Sequence, residues 1–386
     1  MYSISGYGKM IADSVRTDAY VQALRRSVRP GAVVLDIGTG TGIFALLACR
    51  FGAGRVYAIE PGNIIHVARE IAEANVFGER IEFIQDLSTR VSLKERADVI
   101  ISDLRDVLPL FRRHIPSIVD ARQRLLASNG LLIPQKDVLW AAVVQAPELY
   151  SRFSNPWEES PYGLDMRVVR RYVTHTWCKA QVSPEQLMVK PQSWASLDYR
   201  TVKDPDVKGK VTWVAERTGI AHGLIIWFDA TLVEGVSFSN APGAPELIYG
   251  HVFSPWPEPV DLIMGDHIMV SLKADLIGED YLWRWKTRIL DQDDSNSVKA
   301  EFSQSTFFSL PLSHMELHKQ EIGSHPKLHE DGLIDQYIMT WMDGNRSLGD
   351  IAQMVRAQFP KQFLRSQDAL NRVAGLSKKY CRHMDT

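Results

Sequence analysis

Three glycines at alternating positions follow an acidic residue in the segment Val34–Ile43, which reads VLDIGTGTGI. Glycine is expected where a bound molecule approaches the backbone closely or where a tight turn needs a positive φ. The spacing of Gly38, Gly40 and Gly42 differs from the dinucleotide-binding pattern G-x-G-x-x-G, whose third glycine would fall one position later. Together with Asp36 at the end of the apolar run, the segment predicts a ligand-binding turn between a strand and a helix. The alternative is that the glycines only close a tight turn.

Two further acidic residues end the next two strand-like runs. Glu60 ends RVYAIE, about 20 residues past the glycine turn, where a carboxylate can accept hydrogen bonds from both hydroxyls of a ribose. Asp86 ends RIEFIQD and completes the predicted cofactor-binding set. A glycine turn and a ribose-binding acid without the pyrophosphate pattern are typical of an adenosyl cofactor. The sequence therefore predicts S-adenosylmethionine.

Another strand-like run, ADVII, leads into the segment SDLRDVLPLFRRH, Ser102 to His114. Open α/β enzymes carry their chemistry at the carboxyl ends of strands, so Asp103 is predicted as an acceptor-orienting group or a general base. Arg112 is predicted to face the same pocket and to select an acceptor with a carboxylate or phosphate through a bidentate contact. The alternative for Arg112 is a solvated position at the start of a helix.

The elements that must position these residues follow from the spacing of the apolar residues. Up to residue 137, strand-like runs alternate with helical periodicity, which predicts an α/β fold with a doubly wound, Rossmann-like parallel sheet. Residues 138–312 change to short alternating strands with Pro and Gly turns, which predicts an antiparallel β-barrel or sandwich with a projecting arm at about 149–166. Residues 313–386 return to a helical pattern and are predicted as a small, mostly helical domain.

Composition limits the class of protein. The 386 residues are 45% hydrophobic and 23% charged with a formal net charge of −2, which argues against a dedicated nucleic-acid or polybasic membrane binder. The three cysteines lie far apart, which argues against disulfides and structural zinc, and no metal site is predicted. The N-terminus lacks an apolar signal core and no run of about 18 apolar residues occurs, so a cytoplasmic protein is predicted.

The motifs together resemble those of the protein arginine methyltransferase family over most of the chain. The lead-in Met10–Tyr20, the glycine segment, VYAIEP and the segment Tyr162–Met166 each match a family motif, and the β region is more loosely similar to about residue 310. The resemblance implies that Arg16 binds the methionine carboxylate of S-adenosylmethionine and that Met10 lies near its sulfonium. It also implies a homodimer in which the arm contacts the cofactor domain of the other subunit.

Two substrate-handling features of that family are missing. The family places two glutamates in the loop after the fourth strand, and here the corresponding residues are Asp103 and Arg112. The family's Thr-His-Trp loop corresponds to Glu246-Leu247-Ile248, which lacks the histidine. An arginine beside a bound guanidinium would repel it, so arginine held in the usual way is not expected as the substrate.

The leading hypothesis is an S-adenosylmethionine-dependent methyltransferase with arginine-methyltransferase architecture and an anionic or zwitterionic acceptor, either a small molecule or a peptide. One alternative keeps arginine as the substrate, with Glu246, Asp106 or Asp120 replacing the missing glutamate. Another is a cofactor-binding scaffold without catalysis. The C-terminal region faintly resembles small winged-helix domains that bind leader peptides, with a helical cap as the alternative. No membrane partner is expected, and a nucleic-acid partner is not expected either.

Overall fold

A five-stranded parallel sheet forms the first part of the chain in a computed structural model that describes residues 3–158, 161–292 and 297–381. The strand order is β3-β2-β1-β4-β5, so the order reverses beside β1, and such a switch point is where open α/β sheets bind ligands. The elements of this part are α1 (Ile4–Ala12), α2 (Ser14–Ser27), β1 (Val33–Ile37), α3 (Ile43–Arg50), β2 (Arg55–Ile59), α4 (Ile64–Ala74), β3 (Ile81–Ile84), β4 (Ala97–Ser102), α5 (His114–Arg124) and β5 (Leu126–Ile133).

The strands of this sheet form because their sequences are almost continuously apolar. In β1 and β4 nearly every residue is buried, the pattern expected when helices cover both faces of a parallel sheet. The predicted α/β fold with a doubly wound sheet is confirmed. The carboxyl ends of the neighbouring strands β1 and β4 meet at one edge, which brings the glycine turn and Asp103 to the same side of the sheet.

Two antiparallel sheets follow, as the alternating pattern predicted. One has the order β7-β12-β10-β6-β8 with β11 beside β10, and the other has the order β15-β14-β13-β9. The elements are β6 (Lys136–Val144), α6 (Pro147–Glu158), α7 (Arg170–Val173), β7 (Cys178–Ala180), β8 (Gln192–Asp198), β9 (Val207–Val214), β10 (Gly219–Val233), β11 (Val236–Ser239), β12 (His251–Leu262), β13 (His267–Ile277), β14 (Asp280–Leu290) and β15 (Val298–Ser305).

The predicted arm at about 149–166 contains most of α6 and the short 3₁₀ turn Pro161–Gly163, and the 3₁₀ turn Arg167–Val169 follows it. Residues 159 and 160 lie outside the described part of the chain. The side chain of Tyr150 is buried and donates to the carbonyl of Pro257, so the base of the arm packs on its own β region. Tyr162 and Leu164, further along the arm, are exposed, and so is Val168 just after it.

Contacts divide the chain into two compact units, Met1–Pro311 and Leu312–Thr386. Both kinds of sheet belong to the first unit, so the predicted boundary at residue 137 marks the change from parallel to antiparallel pairing and not a gap between units. The second unit contains α8 (His314–Lys319), α9 (Glu330–Thr340), α10 (Leu348–Gln358) and α11 (Ser366–Tyr380).

The second unit has a hydrophobic core of its own, which includes Ile338, Ile351, Val355 and Val373. Helix α10 begins with a capping box in which Ser347 and Asp350 exchange hydrogen bonds, as the sequence indicated at Ser347. Residues 312–381 contain helices and no strand, so this described part lacks the β-wing of a winged-helix domain. In the described residues as a whole, no helix is both long and apolar enough to cross a membrane.

Candidate functional site

The glycine turn after β1 requires glycine for two separate reasons. Gly38, Gly40 and Gly42 have φ values of 75°, 55° and 84°, in the region that side chains with a Cβ rarely adopt. A Cβ on Gly38 would lie 2.5 Å from the Cδ2 atom of Leu104, and a Cβ on Gly40 would lie 2.6 Å from the ring of Tyr7. The turn is therefore a cradle of bare backbone against which Leu104 and Tyr7 pack.

Asp36 lies beneath this turn and not on the surface of the cradle. The residue is 1% exposed. Its Oδ2 atom accepts hydrogen bonds from the Thr39 hydroxyl at 2.6 Å and from the Ala45 N–H at 3.1 Å. Burial raises the pKa of Asp36 to about 7, although both hydrogen bonds act in the opposite direction. Asp36 was predicted as a cofactor-binding residue, but its position shows that it fixes the turn to the start of α3.

Glu60 follows β2 and lies beside the turn. Its Oε1 atom accepts from the Gly62 N–H at 2.8 Å and its Oε2 atom accepts from the Gly40 N–H at 3.3 Å. Burial raises the pKa of the Glu60 carboxyl, and the two backbone N–H groups oppose that shift. The backbone thus holds a carboxylate at the position where the sequence predicted a ribose-binding acid.

Tyr7 was not singled out from the sequence, yet helix α1 places its ring against Gly40. Burial, followed by the charge of Glu60, raises the pKa of the Tyr7 hydroxyl to about 12, so the phenol stays neutral. The only available signal was the expectation that the lead-in helix covers the cofactor, which does not specify a residue.

Asp86 follows the edge strand β3. Its carboxylate, 43% exposed, accepts a hydrogen bond from the Leu87 N–H and lies 3.8 Å from Arg90.

Arg16 of helix α2 binds Asp103 directly. Its Nε and Nη2 atoms lie 2.7 Å and 2.5 Å from the Oδ2 atom of Asp103, and both side chains are 4% exposed. The Nη1 atom of Arg16 donates to the carbonyl of Met10 at 3.3 Å. Tyr249, from the loop before β12, donates its hydroxyl to the same Oδ2 atom at 2.6 Å. The end of β4 is thereby tied to α2 and to the β region.

A second arginine, Arg105, donates to the other carboxylate oxygen of Asp103. Its Nη1 atom lies 3.1 Å from Asp103 Oδ1, and its Nε and Nη2 atoms bind Asp137 at 2.9 Å and 2.8 Å. Tyr199 also donates to Asp137, at 2.6 Å. The side chains of Arg105 and Asp137 have no solvent exposure. Arg105 stood in the arginine-rich segment, but its role was missed because Asp137 and Tyr199 lie far away in the sequence.

The electrostatics of Asp103 follow from these contacts. Burial alone would raise the pKa of its carboxyl, but the charges of Arg16 and Arg105 and the Tyr249 hydrogen bond hold that pKa below its usual range. A carboxylate with a lowered pKa is a weak base, and both of its oxygens already accept from arginine. The geometry argues against the predicted role of Asp103 as a general base that faces the acceptor.

Arg112 is not part of this network. It is exposed, has a φ of 44°, and its guanidinium carbon lies 5.1 Å from the centre of the Phe111 ring. In the part of the chain that the structure describes, Arg112 forms no ion pair, whereas Asp103 is buried. The structure thus places Asp103 in a buried ion-pair network and Arg112 at the surface, as the solvated alternative for Arg112 expected, and the predicted roles of both residues towards an acceptor stay predictions.

Comparisons with known proteins agree with this architecture. A model of ribosomal protein L11 methyltransferases matches residues 15–154, and a model of the arginine methyltransferase oligomerization subdomain matches residues 135–254. Protein arginine N-methyltransferase 6 of Danio rerio is 30% identical over 235 residues, which is 58% of this chain and 67% of that protein. The chain belongs to the protein arginine methyltransferase family.

Other relatives of the family extend the match. A probable protein arginine N-methyltransferase 6 of Arabidopsis thaliana is 28% identical over 246 residues, 61% of this chain, and the match spans 55% of that relative's length. A structure of the Trypanosoma brucei PRMT1 enzyme-prozyme heterotetrameric complex with AdoHcy shares the fold, with a TM-score of 0.71 at 22% identity, over 78% of this chain and 96% of that one.

Family membership confirms the predicted enzyme class: the chain is an S-adenosylmethionine-dependent methyltransferase of the arginine methyltransferase type. The finer prediction of a non-standard, small-molecule acceptor finds no support in these relatives, which are named as protein methyltransferases. The assignment of individual site residues remains a prediction.

The loop that replaces Thr-His-Trp in this family member has other partners. The N–H of Ile248 donates to Asp13 at 2.8 Å, and Glu246 accepts from Gln181 at 3.2 Å. Asp120, another candidate replacement acid, binds Arg124 at 2.6 Å. Neither Glu246 nor Asp120 is therefore a free carboxylate that has taken the place of the missing glutamate beside Asp103.

Replacing Arg105 with methionine should destabilise the protein strongly, because Asp137 would be left buried without its ion pair. We expect the free energy of unfolding in urea to fall by about 3–5 kcal/mol. The double variant Arg105→Met/Asp137→Asn should recover part of this loss, because the asparagine still accepts from Tyr199. The exposed pair Arg167–Asp165 provides the control: Arg167→Met should change stability by less than about 1 kcal/mol. Equal losses in the two single variants would contradict the network.

The pKa of Asp36 predicts a pH dependence. Its pKa is about 7 in the folded protein against ~3.9 in an unfolded chain, so the folded state binds more protons between these values. The contribution of Asp36 to stability is therefore complete below about pH 4 and is lost as the pH rises towards 7. Between about pH 4 and 7, the free energy of unfolding of wild type should fall relative to that of Asp36→Asn. Above about pH 7 the difference between the two should be constant. Urea unfolding between pH 4 and 8 measures this, with the exposed Asp280→Asn as the control, and a constant difference throughout would refute the shift.

Proposed function

We propose that this chain binds S-adenosylmethionine against the glycine turn and transfers its methyl group to an uncharged acceptor group of a protein or peptide. When bound, the cofactor supplies an electrophilic methyl group on a sulfonium. The bare, positive-φ backbone of the cradle, together with the carboxylate of Glu60, is of the kind that binds an adenosyl group. Tyr7 would cover this group from the side of α1.

Arg16 retains the capacity to hold the carboxylate of the methionine moiety. A guanidinium carries five N–H donors, and in this chain three of them are used by Asp103, Tyr249 and the carbonyl of Met10. The ion pair with Asp103 fixes the orientation of the guanidinium, so the donors that remain do not need to be ordered when a carboxylate arrives. This supports the role that the family resemblance implies for Arg16 and keeps Met10 next to it.

The observation that carries the proposed acceptor is the double ion pair of Asp103. Its two oxygens lie 2.5 Å and 3.1 Å from the nitrogen atoms of Arg16 and Arg105. A guanidinium entering from a substrate would find no free oxygen on this carboxylate, and to bind it would have to displace one of the two resident arginines. An uncharged nitrogen or oxygen nucleophile avoids this displacement.

An uncharged acceptor is also consistent with the chemistry that the remaining residues allow. In methyl transfer the lone pair of the acceptor attacks the methyl carbon while the bond from that carbon to sulfur breaks, so alignment supplies much of the rate. The proton of the acceptor then leaves to water, since the lowered pKa of Asp103 makes it a weak base. The buried network would act by holding the end of β4 rigid.

A second candidate function is that of a subunit that binds the cofactor without turnover. The Asp103 carboxylate, whose oxygens are both bound to arginine, favours this function. One solved structure with the same fold is described as an enzyme-prozyme complex. The match to the oligomerization subdomain and the exposed Tyr162, Leu164 and Val168 on or just after the arm support association through the arm, as a homodimer or with a related chain.

The cofactor site is tested by Glu60→Gln, which keeps the shape of the side chain and removes its charge. Charge-assisted hydrogen bonds contribute about 1.5–3 kcal/mol each, so the Kd for S-adenosylmethionine should rise at least tenfold in calorimetry. Glu82→Gln, at an exposed position of β3, is the matched control and should bind as wild type does. An unchanged Kd in the Glu60 variant would exclude this assignment.

The acceptor is tested by transfer of a labelled methyl group. The protein would be incubated with labelled S-adenosylmethionine and either a cell extract of the source organism or a synthetic Gly-Arg repeat peptide. We expect label in extract proteins, which mass spectrometry would map to residues other than arginine, and no transfer to the peptide. The Glu60→Gln variant should transfer less. Efficient methylation of the Gly-Arg peptide would refute the uncharged acceptor, and cofactor binding without any transfer would favour the second candidate.

A further inference from the structure

The four-stranded sheet β15-β14-β13-β9 carries a strongly basic outer face. Along β9, β13 and β14 the apolar residues alternate with polar ones, and the polar set points away from the buried side. The outward positions of the three strands include six cations, which we name the basic face: Lys208, Lys210, Lys273, Arg284, Lys286 and Arg288.

The register of the strands places like charges directly opposite one another. Lys273 of β13 is paired with Lys208 of β9 on one side and with Arg284 of β14 on the other. In the next row, Ser271 stands between Lys210 and Lys286. Paired residues on adjacent strands are about 4.5–5.5 Å apart at Cβ, and like charges in such pairs destabilise a sheet. Folding alone gives no reason for this arrangement.

Neighbouring carboxylates compensate the basic face only in part. Asp275 lies 2.8 Å from the Nζ of Lys273 and also binds Arg284, while Glu301 lies 2.5 Å from Lys286 and 3.8 Å from Arg288. Within the described residues, Lys208 and Lys210 form no ion pair. The chain as a whole has a formal net charge of −2, so the positive charge of the basic face is a local concentration.

Hydroxyl and aromatic groups lie among the cations. A depression on this face is lined by five of the six cations, all but Arg288, and also by Ser271, Ser303 and Phe308. Phe308 is 57% exposed and packs edge-on against Phe307, which is also exposed. Cations with hydroxyl donors suit phosphate oxygens, and an exposed aromatic ring offers a surface on which a base can stack.

We propose that the basic face binds the phosphate backbone of a single-stranded nucleic acid. Outward cations on one strand lie two residues apart, about 6.8 Å, and rows on adjacent strands lie about 4.8 Å apart, so several phosphates can be neutralised at once. Lysine, which supplies four of the six cations, is a compact point charge with flexible reach. An acidic polypeptide would be better matched by the bidentate geometry of arginine and would not need the ring of Phe308. The low net charge of the whole chain argued against a nucleic-acid partner, but net charge does not show that positive charge is concentrated on one face.

The test is fluorescence anisotropy of the full chain with a labelled single-stranded DNA 20-mer of mixed sequence, over a range of salt concentrations. The variant Lys208→Gln/Lys210→Gln/Lys286→Gln removes three cations of the basic face. The control Lys94→Gln/Lys136→Gln/Lys190→Gln removes three exposed lysines elsewhere in the first unit. Thermal unfolding accompanies both variants and should show that both remain folded, since the first removes one like-charge pair, Lys208–Lys273, and one exposed ion pair, Lys286–Glu301.

We expect wild type to bind with a Kd of about 1–100 µM near physiological salt, as for sequence-independent binding. Each lost phosphate contact lowers the salt slope by about 0.7, so the first variant should show a slope lower by about 2 and at least tenfold weaker binding. The control should bind as wild type does. Absence of binding at low salt, equal effects of the two variants, or equally tight binding of poly-glutamate would each overturn the proposal.

Discussion

The carboxylate of Asp103 is the group on which the arrangement of this site depends. It ends β4 in the interior of the protein, where an unpaired charge would be strongly unfavourable, so it requires cationic partners. Arg16 comes from α2 and Arg105 comes from the loop after β4, and Arg105 in turn binds Asp137 at the start of β6. Because the charges satisfy one another, the helix that precedes the first sheet, the edge of that sheet and the antiparallel region are fixed in one geometry.

The same constraint separates the two halves of the site. The glycine turn and Glu60 depend on backbone conformation and on backbone N–H groups. The acceptor side depends on side-chain charge, so the replacement of a single charged residue there can alter what is bound. A family can therefore keep its methyl donor while it changes its acceptor, because the two depend on different kinds of interaction.

The cofactor half was predictable from the sequence because its signals are local. The positive φ at Gly38, Gly40 and Gly42 and the acid at the end of β2 are specified within about 25 residues, and the alternation of strands and helices determines which edge they share. The buried position of Asp36 could not be predicted, because a sequence shows an acid near a turn but not whether it lies beneath it. The role of Arg105 could not be predicted, since Asp137 and Tyr199 reach it only through the tertiary fold.

The separate core of the last 75 residues has an evolutionary consequence. Its buried side chains pack among themselves, and the large core of the first unit contains none of them. Both family models also end before this unit begins. Because the two cores share no buried side chain, a substitution that repacks one core leaves the composition of the other unchanged. The two portions of this chain are thus open to selection at different rates.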